Sequence, residues 1–405
     1  MPTRSQVYRR RRVLVITPAI LVLALAFYLP LTLLAPIPHT ASTPTSYSAP
    51  VTTKPVISMP GYGDSAIAAV GYPGLLAAGG GTSPLPIASI TKIITALVVL
   101  QKEPLSVNEQ GPGILFTAAD EAIRASYKAR GGDVYPIKVG ATLTERQVLT
   151  IALVPSANNY ARALADWAYG SEANFLVVAN AWLKTNGLTS TTLTDSIGLN
   201  PQNTSTPTDL IALGRLALAN PVIAQLVTIK SITLPVVGTV SNTNQLLGVE
   251  GIDGIKTGTL TQASLLFTSR LTVGGTVITL IGVVLDGPNH PTIDAAIRTL
   301  VGQARAGFHL VRVAAKGQAF ATYTTKWGTR ASAVAARSVS LVVWGGTPVT
   351  ERTVARTLTT ASKSTTVGTA SFTAGVNSAA VPLQLARPLS GPGGLWRLEH
   401  PGILL

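Results

Sequence analysis

The chain has 405 residues, 46% hydrophobic and 12% charged, with a net charge of +14 and no cysteine. That length allows roughly two or three domains with sizeable cores, and the missing cysteine excludes disulfides, thiolate nucleophiles and cysteine metal sites. The four histidines form no H-x-x-x-H pair, which argues against a zinc hydrolase; the basic surplus comes without a nucleic-acid motif, which argues against nucleic-acid binding and leaves an anionic envelope polymer or lipid headgroup open as a partner.

Residues 1–12 form a basic tail with Arg4 and Arg9 to Arg12, and residues 13–35 follow without a charge. About 20 such residues span a bilayer. The preceding arginines predict a cytoplasmic N-terminus and an exported remainder. The segment reads as an uncleaved single-pass anchor in the cell membrane; a cleaved signal peptide and a buried core helix are the alternatives. Residues 36–60 are rich in Ser, Thr and Pro and read as an extended, poorly ordered linker.

Globular character is expected over 61–310. Residues 65–70 and 75–78 predict two strands around a turn. The run Gly79 to Gly81 lacks the G-K-[ST] of a phosphate loop. Ser89 and Lys92 then stand three residues apart, ahead of the apolar stretch Ile93 to Leu100. On a helix that spacing places both side chains on one face. A helix without a polar face is a buried one. Burial lowers a lysine's pKa, and a neutral amine beside a hydroxyl can activate it as a nucleophile. A chance S-x-x-K is the competing explanation.

Thr144 to Gln147 form a capping box that opens a helix ended by Pro155. Ser156 and Asn158 follow at a sharp junction before a second helix, either aimed at one spot or serving as helix caps. Residues 170–230 read mostly helical, and from Ile232 the pattern turns to strands. Lys256-Thr257-Gly258 lies on or entering a strand, where the glycine admits a closely approaching backbone or ligand; an ordinary exposed edge strand with a lysine is the alternative. From 311 to 405 short Val/Ala/Thr-rich runs predict a small all-β domain.

Ser89-x-x-Lys92, Ser156-x-Asn158 and Lys256-Thr257-Gly258 stand in the order, and on the elements, of the serine acyl-transferases that include penicillin-binding proteins and class A β-lactamases. With the longer stretches Pro86 to Leu97, Asn242 to Leu247 and Gly254 to Gly258, residues 60–308 resemble the D-alanyl-D-alanine carboxypeptidases, the low-molecular-mass penicillin-binding proteins. The resemblance implies an α+β fold: an antiparallel sheet flanked by helices, with a helical subdomain and a following β domain. It implies Ser89 as nucleophile, Lys92 as its base, and Ser156 with Lys256 relaying a proton to the leaving D-alanine. Asn158 would bind the substrate's peptide, the backbone N–H groups of Ser89 and Thr259 the oxyanion, and Thr257, Thr259 and Lys256 the terminal carboxylate. Partners would be peptidoglycan stem peptides ending in D-Ala-D-Ala and β-lactam antibiotics, with no metal or other cofactor. A β-lactamase or DD-endopeptidase on the same fold, and a non-catalytic wall-binding scaffold, are the alternatives. The chain departs from the family pattern in Ser-Ala-Asn for Ser-Gly-Asn, in Lys-Thr-Gly-Thr, and in placing Asp286 to Pro291 where an arginine often follows the last core strand; Arg298 comes only later.

Overall fold

A 30-residue helix, α1 (Arg4–Leu33), opens the computed structural model, which describes residues 4–404. It carries Arg4 and Arg9 to Arg12 in its first turns, is apolar from Val13 onward, keeps Pro18 and Pro30 within it, and is long enough to cross a membrane.

The chain divides into two units. The larger comprises Thr53–His309 with Trp344–Gly346. Its sheet has five antiparallel strands in the order Ile252–Thr259, Ala263–Val273, Thr276–Gly287, Asp64–Ala69, Ala77–Gly79. One face packs against α7 (Pro207–Ala219), where Gly214 brings the helix down onto Ile281 and Leu266. On alternate positions of the same strands Leu265, Phe267 and Val284 are equally buried, and α9 (His290–Gly307) packs on that sheet.

The remaining helices form the helical subdomain around α2 (Thr91–Lys102). Every residue of α2 from Thr91 to Leu100 is buried, as the absence of a polar face predicts. Around it stand α4 (Glu145–Leu153), α5 (Asn158–Tyr169), α6 (Glu172–Thr185) and α8 (Pro221–Leu226), while α3 (Ala118–Ala129) packs on α5. The predicted capping box is present: Thr144 Oγ1 accepts from Gln147 N at 3.3 Å, and Gln147 Oε1 accepts from Thr144 N at 3.0 Å.

A long loop closes over the start of α2. Asn203, fully buried, donates to Thr91 Oγ1 at 3.0 Å and accepts from the backbone N–H groups of Thr194 and Asp195. The Asp195 carboxylate in turn accepts from the N–H groups of Ile197, Gly198 and Asn200. Gly198 sits at φ +81°, and a Cβ there would lie 1.8 Å from Ala88 O. Only glycine lets the loop cross the chain at that point.

The second unit joins the chain up to Thr52 with Leu310–Val343 and the residues from Thr347 onward. Six antiparallel strands run in the order Ser42–Pro44, Ala319–Thr324, Arg330–Ala335, Asn377–Leu385, Thr366–Ala374, Thr350–Ala355. Most of these strands lie within residues 311–405, and the unit also holds α1 and the short helices Gly394–Glu399 and Pro401–Leu404. The stretch 36–60 was expected to be a poorly ordered spacer. Instead Ser42 to Pro44 pair with Tyr323 to Ala321, Thr40 bridges Leu358, and the Tyr47 ring packs near Phe320 and Phe372. A Ser/Thr/Pro composition keeps the backbone extended, and an edge strand needs that.

Replacing Gly198 with Ala forces a side chain into a left-handed position already filled by backbone. We expect a loss of about 2 kcal/mol or more in urea unfolding; an unchanged midpoint would show that the crossing is not tight.

Candidate active site

Ser89 follows Ala88, whose φ of +45° is unusual for a residue with a side chain. The turn Ala88–Ile90 is a single 3₁₀ turn that runs into α2, so Ser89 is half-buried at the helix entrance and Lys92 lies one turn inside. Lys92 is 1% exposed. Its Nζ lies 2.7 Å from Ser89 Oγ, 2.7 Å from Asn158 Oδ1 and 2.9 Å from Ile197 O.

The partner chemistry accommodates a neutral amine. Asn158 Oδ1 and the Ile197 carbonyl only accept, so each must take an N–H. A neutral amine has two N–H bonds and one lone pair. Its third neighbour, the Ser89 hydroxyl, can accept or donate, so the contacts suit an ammonium and equally a neutral amine with its lone pair toward Ser89. Burial, reinforced by the nearby charge of Lys256, holds the Lys92 pKa well below its ordinary value, against the opposing pull of Asp133 and Asp195.

Asn158 starts α5, and its backbone N–H donates to Asp133 O at 2.8 Å. Its Nδ2 lies against Gly132 and has no protein acceptor among the described residues. Ser156 is buried at the α4–α5 junction with φ +66°. Among the described residues its hydroxyl makes no hydrogen bond, two positions before Asn158.

The third motif lies on the sheet's edge strand, paired on one side only: Lys256 opposite Leu266, Thr257 opposite Leu265, Thr259 opposite Ala263. Its other side faces Ser89. A Cβ on Gly258 would lie 2.8 Å from Ile87 O and 3.5 Å from Ser89 N, so glycine permits the approach. Lys256 is 2% exposed, unlike a solvated edge lysine. Its Nζ contacts Thr257 O at 3.2 Å, Thr257 Oγ1 at 3.3 Å and Thr243 Oγ1 at 3.4 Å. Burial lowers its pKa to about 7, while Asp133 raises it.

Four contributors were not legible in the sequence. Thr243 shares a 2.5 Å hydrogen bond with Thr257 Oγ1. His290, at the start of α9, places Nε2 2.8 Å from Thr259 Oγ1; burial and the Lys256 charge lower its pKa, and Asp294 opposes them. The Ile197 carbonyl and Asp133 complete the set. Arg298 stands apart, bound to Glu250 at 3.0 Å.

Lys256 must be stripped of water to occupy this place. A lysine whose folded pKa lies below its unfolded value costs stability most below pH 7, and the cost shrinks as pH rises from 7 toward 10.5. Lys256→Met is therefore expected to stabilise the fold at pH 6 by on the order of 2 kcal/mol, with a smaller gain at pH 9. A variant less stable than wild type at both values would contradict this.

Comparison with known proteins follows the same geometry. Residues 73–289 match the family described as D-alanyl-D-alanine carboxypeptidase. D-alanyl-D-alanine carboxypeptidase DacC of Escherichia coli is 31% identical over 225 residues, 52% of this chain and 53% of that protein. A D-alanyl-D-alanine endopeptidase of Pseudomonas aeruginosa is 33% identical over 142 residues, 35% of this chain and 42% of that one. The chain thus spans about half the length of the curated relatives it matches. Among solved structures, a Streptomyces DD-transpeptidase superposes with a TM-score of 0.54 at 25% identity, over 61% of this chain and 98% of its own. The family match covers more than half of the 405 residues, including all three motifs, and the chain belongs to the D-alanyl-D-alanine carboxypeptidase family.

Proposed function

We propose that this chain is a serine-type D-alanyl-D-alanine carboxypeptidase that removes the terminal D-alanine from peptidoglycan stem peptides and is acylated by penicillins. The observation that carries the reading is the 2.7 Å contact from Lys92 Nζ to Ser89 Oγ, with the other two directions of the amine committed to acceptors. Lys92 takes the hydroxyl proton as Ser89 Oγ attacks the carbonyl of the penultimate D-alanine. The N–H groups of Ser89 and Thr259 receive the oxyanion; one such donor is worth about 10²–10³ in rate. As the tetrahedral adduct collapses, the C–N bond breaks and the proton reaches the departing amine through Ser156 and Lys256. Water then hydrolyses the acyl-enzyme. Asn158 Nδ2, free of protein acceptors, donates to the substrate's peptide carbonyl.

Thr257, Thr259 and charged Lys256 hold the terminal carboxylate, and Gly258 keeps the strand against Ser89. His290 orients the Thr259 hydroxyl through its 2.8 Å contact. The helix α1 serves as a membrane anchor with Arg9 to Arg12 on the cytoplasmic side, and the catalytic unit lies outside the cell membrane. Likeness to the Pseudomonas endopeptidase supports a second use of the same centre, cleavage of D-Ala-containing cross-links. A scaffold without activity has no need of a neutral lysine, so the buried Lys92–Ser89–Asn158 set weighs against it.

The test is labelling with fluorescent penicillin followed by assay of D-alanine release. Wild type should label, Ser89→Ala should not, and Lys92→Ala should acylate about 10³-fold more slowly while remaining folded. Lys92→Ala acylating at the wild-type rate would remove the lysine from the mechanism. In the free enzyme, kcat/KM for a carboxylate-ended peptide should fall on the acid side as Lys92 gains a proton. It should fall again above about pH 7 as Lys256 loses its own. An alkaline limb that stays in place in Lys256→Arg would show that the Lys256 charge does not hold the carboxylate.

A further inference from the structure

Beside the catalytic centre lies a cavity of about 770 Å³ between α3 and the loop 194–201. The two share a wall, because Ile197 lines the cavity and its carbonyl accepts from Lys92. The other lining side chains that matter are Tyr127, Arg130, Arg162, Glu172 and Asp195.

Most of that charge is already committed. Arg162 binds Asp166 at 2.7 Å and Glu172 at 2.6 Å. The Asp195 carboxylate is consumed by the N–H groups of its own loop. Arg130 is different. Among the described residues it makes no ion pair, and its guanidinium stands 5.0 Å from the centre of the Tyr127 ring. A ring beneath the guanidinium orients it and leaves its edge N–H groups directed outward. The cavity therefore carries one unspent cation in a fork geometry suited to a carboxylate.

Direction follows from the rest of the site. The leaving D-alanine and its carboxylate belong at the Lys256–Thr259 strand, so the acyl portion of the peptide must leave Ser89 elsewhere. Asn158 Nδ2, the donor for that portion, lies against Gly132, two residues from Arg130. A residue two positions upstream lies up to about 7 Å along an extended peptide, within the length of such a cavity.

We propose that this cavity seats the acyl portion of the stem peptide and that Arg130 binds the free carboxylate of an acidic residue upstream of the scissile D-Ala-D-Ala bond. The proposal rests on the carboxypeptidase reading and extends it to substrate selection. The test compares two pentapeptides, L-Ala-γ-D-Glu-L-Lys-D-Ala-D-Ala and the same peptide with the D-glutamate α-carboxylate converted to a carboxamide. D-alanine release is measured with the full-length protein. Wild type should favour the acid by about fivefold in kcat/KM. Arg130→Gln should bring the ratio to one, and Arg130→Lys should restore part of it, with penicillin labelling reporting that each variant is folded. A wild-type ratio near one, or a ratio unmoved by Arg130→Gln, would overturn the proposal while leaving the carboxypeptidase reading intact. Release from neither peptide would overturn both.

Discussion

A primary amine kept out of water is the constraint on which the rest of this site depends. Lys92 sits on α2, which is buried from Thr91 to Leu100. Burying an ammonium there costs more than the neighbouring carboxylates return, so burial draws the amine toward its neutral form. Its hydrogen-bond partners then fix which way the lone pair points. Had any of the three been a carboxylate, the charged form would have been stabilised and the base lost. The site instead uses an amide oxygen and a backbone carbonyl, which orient the amine without adding a full negative charge.

Holding a backbone carbonyl in that role demands a rigid loop. Ile197 O reaches Lys92 because Asp195 gathers the N–H groups beyond it, Asn203 ties the loop to Thr91, and Glu172 accepts from Ser196 N at 2.9 Å. Thr95 Oγ1 donates to Ser196 O at 2.6 Å, so α2 itself grips the loop one turn beyond the lysine. Ala88 and Ser156, both with left-handed backbones, flank the centre on separate elements. Such conformations persist only where the surroundings over-determine them, and here buried core lies behind both.

The parts of this arrangement legible in the sequence are those encoded by local spacing. Ser89 and Lys92 are related by one helical turn, Ser156 and Asn158 by a helix junction with a proline before it, and Gly258 by the close approach only glycine allows. Each signal lies within a few residues. Thr243, His290 and the Ile197 carbonyl carry no such signal, because what makes them functional is a contact across 14, 31 or 105 residues of chain. A carbonyl is common to every residue, so nothing in the letter at 197 marks it. The misjudged stretch 36–60 has the same origin: its extended backbone was readable, but the strand that pairs with it stands some 280 residues further on. Arg298 was a cation of the right type, and only the fold shows it committed to Glu250.

Two lysines in one cleft need not do the same work, and their partners separate them. Lys92 is surrounded by short contacts, two of them to obligate acceptors, and it feels Lys256 as a like charge. Lys256 has longer contacts, two of the three to hydroxyls that can turn to donate or accept. Hydroxyl partners tolerate either protonation state, and Asp133 offsets part of the burial. Burial thereby draws Lys92 well below its ordinary value and brings Lys256 to about 7. An amine that is to act as a base must be neutral before it takes a proton, whereas an amine among rotatable hydroxyls is held equally well in either state. The difference between the two residues lies in the rotatable hydroxyls of Thr243 and Thr257, not in the lysines.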